Sequence, residues 1–563
     1  MSSARIGIGG ISRTSFAVLV IGGGPVLAWL SASTPWWTAG LVVSALLTVA
    51  IVRVRERTAA QWLVDRGRFR FGLTTRARRR SIEAEVIDVD VAAGLCGIVS
   101  GDSILIAMIE LAPNLDLPTI ITEQTIYTED TLPIDLLLPM LEQYGITLDI
   151  DIVATGRRAR QHGGYSMVYD QLIGSHPVVG ERLTRLVVRL DLERNLVALT
   201  RRGPCAVSGP RALAVAAQRI SEHLRERGIA AQVLPASAVR EATESLHEGV
   251  RLPELRETWN HLDLPTSGRR VSCFAIDWSG LAEAGLDDCW RWNQGWTTLV
   301  IGLSTTSSGA RGLVRFIGPE PDNALPAYLL PLHGLQSSAL QATLPGSMSV
   351  HHLPSEDSRV FASAEILAGL DIPIGPNGQI VGTISGQPHH TLALPLFDPA
   401  HFQPRRRAVD IRAMLPVAQQ FVLRTMVVGA SIEIHSARPE RWLSLVAAVG
   451  DPLALRLAPG PDDDPDETAG FEPATVEVFD QVPPRGSGAQ TTVTIGDPGT
   501  ARRKPTDLLI EQIAETTVEI GIPMRTVRVD LIEPRGETRY FEPAADPLLA
   551  GAEAAALAPM AGA

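Results

Sequence analysis

Thr14-Ser-Phe-Ala-Val-Leu-Val-Ile-Gly-Gly-Gly-Pro-Val-Leu-Ala-Trp-Leu-Ser-Ala-Ser-Thr-Pro-Trp-Trp-Thr-Ala-Gly-Leu-Val-Val-Ser-Ala-Leu-Leu-Thr-Val-Ala-Ile-Val52 contains no Asp, Glu, Lys, Arg or His. It starts directly after Arg13 and stops at Arg53. One membrane crossing needs roughly 20 apolar residues, so the stretch is long enough for two crossings joined by a tight turn. Ser31-Ala-Ser-Thr-Pro35 is its least apolar part, and Pro35 sets a break between two helices. Trp29, Trp36 and Trp37 cluster around that break, and tryptophan favours the membrane–water interface. The stretch reads as a transmembrane hairpin over 14–52, with helices at about 14–30 and 36–52. Gly22, Gly23 and Gly24 weaken the first helix but allow close helix packing.

The flanks set the orientation. Arg5 and Arg13 precede the stretch; ten arginines, beginning with Arg53, Arg55 and Arg57, follow it within residues 53–80 against only Glu56 and Asp65. The turn carries no charge, so the positive-inside rule places both termini in the cytoplasm. A cleaved signal peptide, with Leu30-Ser-Ala-Ser33 as its site, would send the rest outside against this arginine collar. A single tilted span with an interfacial helix competes with the hairpin, as does a buried soluble helix pair. The collar also suits anionic lipid headgroups at the plasma membrane.

The net charge of −12 conceals an asymmetry: the N-terminal 80 residues carry about +10, leaving about −22 on the rest. An acidic body of this kind does not suit nucleic acid. Cys96, Cys205, Cys273 and Cys289 are widely spaced and form no C-x-x-C, so they read as reduced thiols rather than metal ligands. Lys504 is the sole lysine and lies in Arg-Arg-Lys-Pro, which excludes a P-loop and argues against lysine-based covalent catalysis.

The chain then divides as follows: 1–13 cytoplasmic N-terminus, 53–80 basic juxtamembrane helix and loop, 81–250 a first α/β domain, 251–267 linker, 268–458 a second α/β region, 459–472 an acidic, proline-rich linker, 473–546 a small α/β region and 547–563 a disordered Ala-rich tail. Within the first domain, 104–111, 146–153 and 182–192 read as strands, with 196–202 as a neighbouring strand. Residues 133–144 and 210–227 read as helices and 169–174 as a loop. Further on, a helix is expected over 324–340, a glycine-rich loop over 375–386 and a helix over 505–520.

The order of features resembles one family. The charge-free double crossing and the arginine collar are followed by Thr131-Leu-Pro-Ile-Asp-Leu-Leu137, Gln143-Tyr-Gly-Ile-Thr-Leu148 and Asp151-Ile-Val-Ala-Thr-Gly-Arg157. Leu186-Val-Val-Arg-Leu-Asp191 and Ala198-Leu-Thr-Arg-Arg-Gly203 come next. This is similar to EccE, a membrane component of the type VII (ESX) secretion system of mycobacteria and related actinobacteria, over about residues 10–245. From Leu264 onward the chain departs from the family's common core. The resemblance implies a degenerate glycosyltransferase-like fold for the first domain. It also implies EccB, EccC (the ATPase) and EccD as partners in an inner-membrane complex. With no Walker lysine and no convincing catalytic constellation, the chain reads as a non-enzymatic subunit without a cofactor.

Asp88-Val-Asp90 and Asp149-Ile-Asp151 fit D-x-D, the spacing that holds a divalent metal on a nucleotide-sugar diphosphate in many glycosyltransferases. Residues i and i+2 share one face of a strand, so a half-solvated strand writes the same pattern. Asp149 and Asp151 would be the metal candidates of a membrane-tethered glycosyltransferase-like enzyme; a membrane-anchored regulatory protein is a third reading. His351-His352 and His389-His390 read as surface pairs, and no G-x-S-x-G elbow appears. Arg157-Arg158-x-Arg160 suits an acidic partner, a headgroup or a solvated loop. Trp278, Trp290, Trp292 and Trp296 suit core packing.

Overall fold

The computed structural model describes residues 6–8, 44, 52–54, 57–58, 66–67, 69 and 85–541, apart from 102, 124, 161–162, 282–283, 306–308, 321–324, 356, 460–471, 485, 501–505 and 524. The expected hairpin, with Trp29, Trp36, Trp37 and Gly22–Gly24, lies outside the described residues except for Ser44, which is helical, and Val52. The Ala-rich tail and most of the acidic linker also lie outside them. Among the described residues no helix is long and apolar enough to cross a membrane.

The chain forms two compact units. The smaller comprises residues 1–83 with 258–260 and 333–336. It holds a three-stranded antiparallel ribbon, Ile6–Ile8, Val52–Val54 and Arg57–Thr58. Within the same unit the Trp259 ring stacks on His333 at 5.9 Å and meets Phe69 edge-on at 5.4 Å, and the Arg66 guanidinium lies 5.3 Å from its centre. The strands at 52–54 and 57–58 replace part of the helix expected over 53–80.

The larger unit is built on two sheets. In the first, ten strands lie in the order Arg256–Glu257, Leu262–Asp263, Arg270–Ile276, Ala310–Gly318, Trp296–Ser304, Asp149–Arg157, Glu181–Asp191, Ile104–Leu111, Gly94–Ser100 and Glu85–Val91, all pairing antiparallel. Three short strands pair beside them. Strand side chains alternate between faces. One face carries Ile150, Ile152, Leu186, Val188, Leu190 and Ile301, packed against Leu213, Ala217, Ile220 and Leu224 of the helix Cys205–Glu226. The other face carries a buried charged row, described below.

The second sheet is mixed. Leu455–Leu457, Ile432–Ser436, Val476–Asp480, Thr491–Gly496, Arg407–Arg412 and Leu508–Gln512 run parallel. Antiparallel strands extend it through Gln379–Ile384 and Gln387–Leu394 to Thr119–Ile121 and Ile126–Tyr127. Its core takes in Phe421, Val422 and Met426 of the helix Leu415–Val427 and Tyr165 and Tyr169 of the helix Gly164–Ile173.

The sheets therefore cross the sequential boundaries. Segment 119–127 joins the second sheet although its neighbours build the first. The expected linker 251–267 supplies two strands of the first sheet. Several local expectations also fail, each for a physical reason. Pro133 and Pro139 limit 133–144 to two short 3-10 turns, and Tyr144 and Gly145 close it with positive φ of 50° and 77°. Residues 196–200 form a helix with only Leu199 buried, so the apolar content of this segment does not line a sheet. Residues 164–173 are helical because Tyr165, Val168, Tyr169 and Ile173 share one buried face. In 324–340 helix begins only at Gln336, and 379–384 is a strand. Residues 505–520 form strands at Leu508–Gln512 and Thr517–Ile522, where burial alternates strictly.

Candidate functional site

Asp149 and Asp151 do share one face, as their spacing requires, but each already has a cation. Asp151 is fully buried and accepts from Arg189 Nη1, which stands on the neighbouring strand. Asp149 Oδ1 accepts from both terminal nitrogens of Arg194 at 3.2 Å. Around them the same face carries Glu110 with Arg185 at 2.9 Å, and Arg315, which donates to Thr343 Oγ1 at 2.8 Å and Thr298 Oγ1 at 2.9 Å. The row is sealed by chain carbonyls. Arg189 donates to Gly346 O, Leu344 O and Met348 O, Arg315 to Leu246 O, and Arg311 to Leu353 O. Burial raises the Asp151 carboxyl above its usual value, with Arg189 and His351 pulling it back. A cation between the two aspartates would have to displace guanidinium groups that satisfy several acceptors at once. Among the described residues no three His, Cys, Asp or Glu side chains gather as a metal site.

Gly302 stands opposite Asp151 in the ladder, and a Cβ there would lie 2.3 Å from Val350 Cγ2, 2.9 Å from Asp151 Oδ1 and 3.0 Å from His351 Nε2. Only glycine admits this approach. His351 is thus a half-buried part of the seal rather than a surface residue, and His352 Nδ1 lies 3.0 Å from Ser349 Oγ in a capping box. Ser349 itself is buried, which makes it a cap rather than a nucleophile. His389 does sit at the surface, 3.1 Å from Glu123. In the other D-x-D, Asp88 accepts from Ala236 N at the start of the helix Ala236–His247. Arg157 pairs with Glu181 at 2.8 Å and stacks on Trp296, while Arg158 and Arg160 donate to Gly174 O and Gly429 O. This arginine cluster bridges chain segments and is no solvated loop.

Glu248, just past the helix Ala236–His247, faces the same row. Burial, opposed chiefly by Arg315, pushes its carboxyl up to about 8. For an acid with a folded pKa above its unfolded value, the unfolded state releases the proton first. Stability then falls as pH rises from the ordinary carboxylate range towards 8, and the fall is complete above it. Glu248→Gln should remove that decline, so the variant loses less thermal stability than the wild type between about pH 5 and about pH 8. Identical pH profiles in melting experiments would contradict the shift.

At the other end of the chain, the ribbon pairs a segment that precedes the charge-free stretch with the one that closes it. Ile6 pairs with Val54, Gly7 with Arg53 and Ile8 with Val52. Paired strands lie about 4.8 Å apart, so Ile8 and Val52 stand side by side. Arg53 and Arg57 sit in this ribbon, opposite Gly7 and Val54 respectively. Arg55, like the three tryptophans, is outside the described residues. The buried arginine row is not evident from sequence, although Arg185 and Arg189, four residues apart and so on one face of an apolar strand, are its signal; Arg182 has the other parity and lies over the Trp290 ring.

Residues 178–276 match the family described as a putative type VII ESX secretion system translocon, EccE. The chain is 24% identical over 529 residues to the ESX-2 secretion system protein EccE2 of Mycobacterium tuberculosis, covering 89% of this chain and 91% of that one. It is 27% identical over 338 residues to the ESX-1 protein EccE1 of Mycolicibacterium smegmatis, covering 59% and 62%. Against EccE1 of Mycobacterium tuberculosis it is 30% identical over 211 residues, covering 36% and 44%. The likeness to the ESX-2 protein thus runs well past residue 245, the limit expected from the order of motifs.

Proposed function

We propose, for a chain that belongs to the EccE family of type VII secretion components, a structural and non-enzymatic role within an inner-membrane ESX complex. In this reading residues 14–52 form a two-helix hairpin, both termini lie in the cytoplasm, and the arginine collar rests on anionic headgroups. EccB-, EccC- and EccD-like subunits are the neighbours against which the larger unit docks, and assembly stabilises the complex by mass action. The observation that carries the hairpin is the pairing of Ile6–Ile8 with Val52–Val54. A single span would separate these strands by the roughly 30 Å hydrocarbon core; an even number of crossings returns the chain to its starting side. The enzymatic reading is disfavoured because the aspartates it needs are engaged by Arg189 and Arg194.

Two measurements test the proposed role. A phosphatase reporter fused after Ala563 should be inactive, as a cytoplasmic fusion is, and periplasmic activity would overturn the two-crossing topology. Gentle solubilisation of native membranes should recover the chain with a large ATPase subunit and further membrane proteins. Recovery only as a free monomer would overturn the structural role.

A further inference from the structure

We propose that the groove beside the helix Cys205–Glu226 is a docking site for an acidic, amphipathic helical segment of a protein partner. The groove encloses about 330 Å³ and is lined by Tyr144, Arg202, Val207, Arg211, Val215 and Arg219 among others. Positions 207, 211, 215 and 219 recur every fourth residue, so they form one stripe of the helix that alternates aliphatic and cationic side chains. The facing wall is the turn at Tyr144 and Gly145, which is fastened in place. Arg202 Nη2 donates to Tyr144 O at 2.6 Å, and the Arg219 guanidinium lies 4.2 Å from the centre of the Tyr144 ring.

Three observations point to the occupant. The site is apolar where it is open: Tyr144 is 77% exposed, Val207 65% and Val215 45%, and Leu196 and Val197 add 50% and 66% on the short helix packed beside it. Leaving such area in water is unfavourable, and clustered exposed apolar area marks an interaction surface. The site is also cationic without compensation. Its lining includes Arg202, Arg211 and Arg219 and no carboxylate, and among the described residues none of the three forms an ion pair. Arg157, Arg185, Arg189, Arg194, Arg424 and Arg438 are matched to acids, and Arg311 and Arg315 are buried on chain carbonyls and hydroxyls, whereas this triplet lines an open groove. Finally, tyrosine and arginine around aliphatic pockets are the residue types that dominate protein interfaces. The volume stands at the small end of ligand pockets, about 300–1,000 Å³, and so admits one or two aliphatic anchors while flanking carboxylates reach the arginines. That is the helix-in-groove mode. A lipid headgroup would leave the valines unfilled.

The inference rests on the structural role proposed above, and its test separates the two. Benzoylphenylalanine replaces Val215 in the full chain, native membranes are irradiated, and the attached peptide is sequenced by mass spectrometry. The expected adduct is an acidic segment with aliphatic residues at helical spacing, reduced at least tenfold by R211E combined with R219E. Arg211 is exposed and Arg219 half-buried against the Tyr144 ring, so the double variant gives up that stacking contact but no buried ion pair and should stay folded, with a small fall in melting temperature; R211E alone, which keeps the contact, should also reduce the adduct. A lipid adduct, an adduct on a neutral or basic segment, or one that survives the double variant would overturn the proposal. So would the lack of any adduct in membranes from which the complex still copurifies; that result leaves the structural role standing. An acidic adduct from a protein outside the secretion complex would uphold the groove, and the copurification above would decide the structural role separately.

Discussion

Glu537→Ala should destabilise the larger unit by about 3–5 kcal/mol, the cost of removing one partner from a buried ion pair. Glu537 is fully buried and is the hub of a polar cluster inside the second core. Its carboxylate accepts from Arg424 Nε at 3.0 Å and Nη2 at 2.8 Å, from Gln420 Nε2 at 2.8 Å and from the Tyr165 hydroxyl. Arg424 also donates to Ile380 O and Val381 O at 2.9 Å and to Ile532 O. Without Glu537 the guanidinium keeps its carbonyls but has no countercharge in an apolar surround. The cluster ties the helix Gly164–Ile173, the helix Leu415–Val427, the strand Gln379–Ile384 and the C-terminal segment to one another, so the loss should be global. Glu537→Gln, which keeps the shape and one acceptor, should cost less, roughly 2 kcal/mol. Guanidinium denaturation of the detergent-purified chain reads both. A loss below about 1 kcal/mol for the alanine variant would mean that the pair is not desolvated as described.

That cluster also shows why sequence alone reaches only part of this fold. Glu537 and Arg424 lie far apart in a chain where every local pattern around them is ordinary. Periodicity reports which face of an element is buried and says nothing about which distant element buries it. It serves well where the pattern is strong and local. The strand expected at 104–111 is found at Ile104–Leu111, and the helix expected at 210–227 at Cys205–Glu226. It fails where composition and period disagree. In 505–520 the glutamates and alanine favour a helix, but Leu508, Ile510, Val518 and Ile520 are the buried residues and their spacing is two. It also fails at the sheet boundaries. Nothing in Thr119–Ile121 says that its partner is Thr391–Ala393 rather than a nearer strand, because a three-residue strand carries too little pattern to choose. The charge-free stretch stands out by composition, but what it folds into lies outside the described residues. The antiparallel pairing of its flanks is not, because Ile6-Gly-Ile8 and Val52-Arg-Val54 are unremarkable tripeptides. For the D-x-D motif the spacing gives the shared face correctly, whereas the chemistry depends on arginines about forty residues away.

Those arginines make the two aspartates unequal, which a metal site would not. Asp151→Ala should cost about 3–5 kcal/mol, because it strands Arg189 beneath the 344–348 segment with no countercharge. Asp149→Ala should cost about 1 kcal/mol or less. Asp149 and Arg194 keep 19% and 22% of their side-chain surface in water, which screens the pair and solvates the survivor. If the pair instead held a divalent ion on a nucleotide sugar, each substitution would abolish that binding alike, and stability would respond to added metal. A third variant separates a lost charge from a lost shape. Asp151→Leu combined with Arg189→Met removes both charges while keeping much of the volume, and should recover most of what Asp151→Ala loses, since well-packed apolar replacements of buried pairs are often neutral. Failure of that rescue would show that the carbonyls of Leu344, Gly346 and Met348 need the guanidinium more than the guanidinium needs Asp151. In that case the arginine row is a set of clamps on the 343–353 segment, with the acids present as their countercharges.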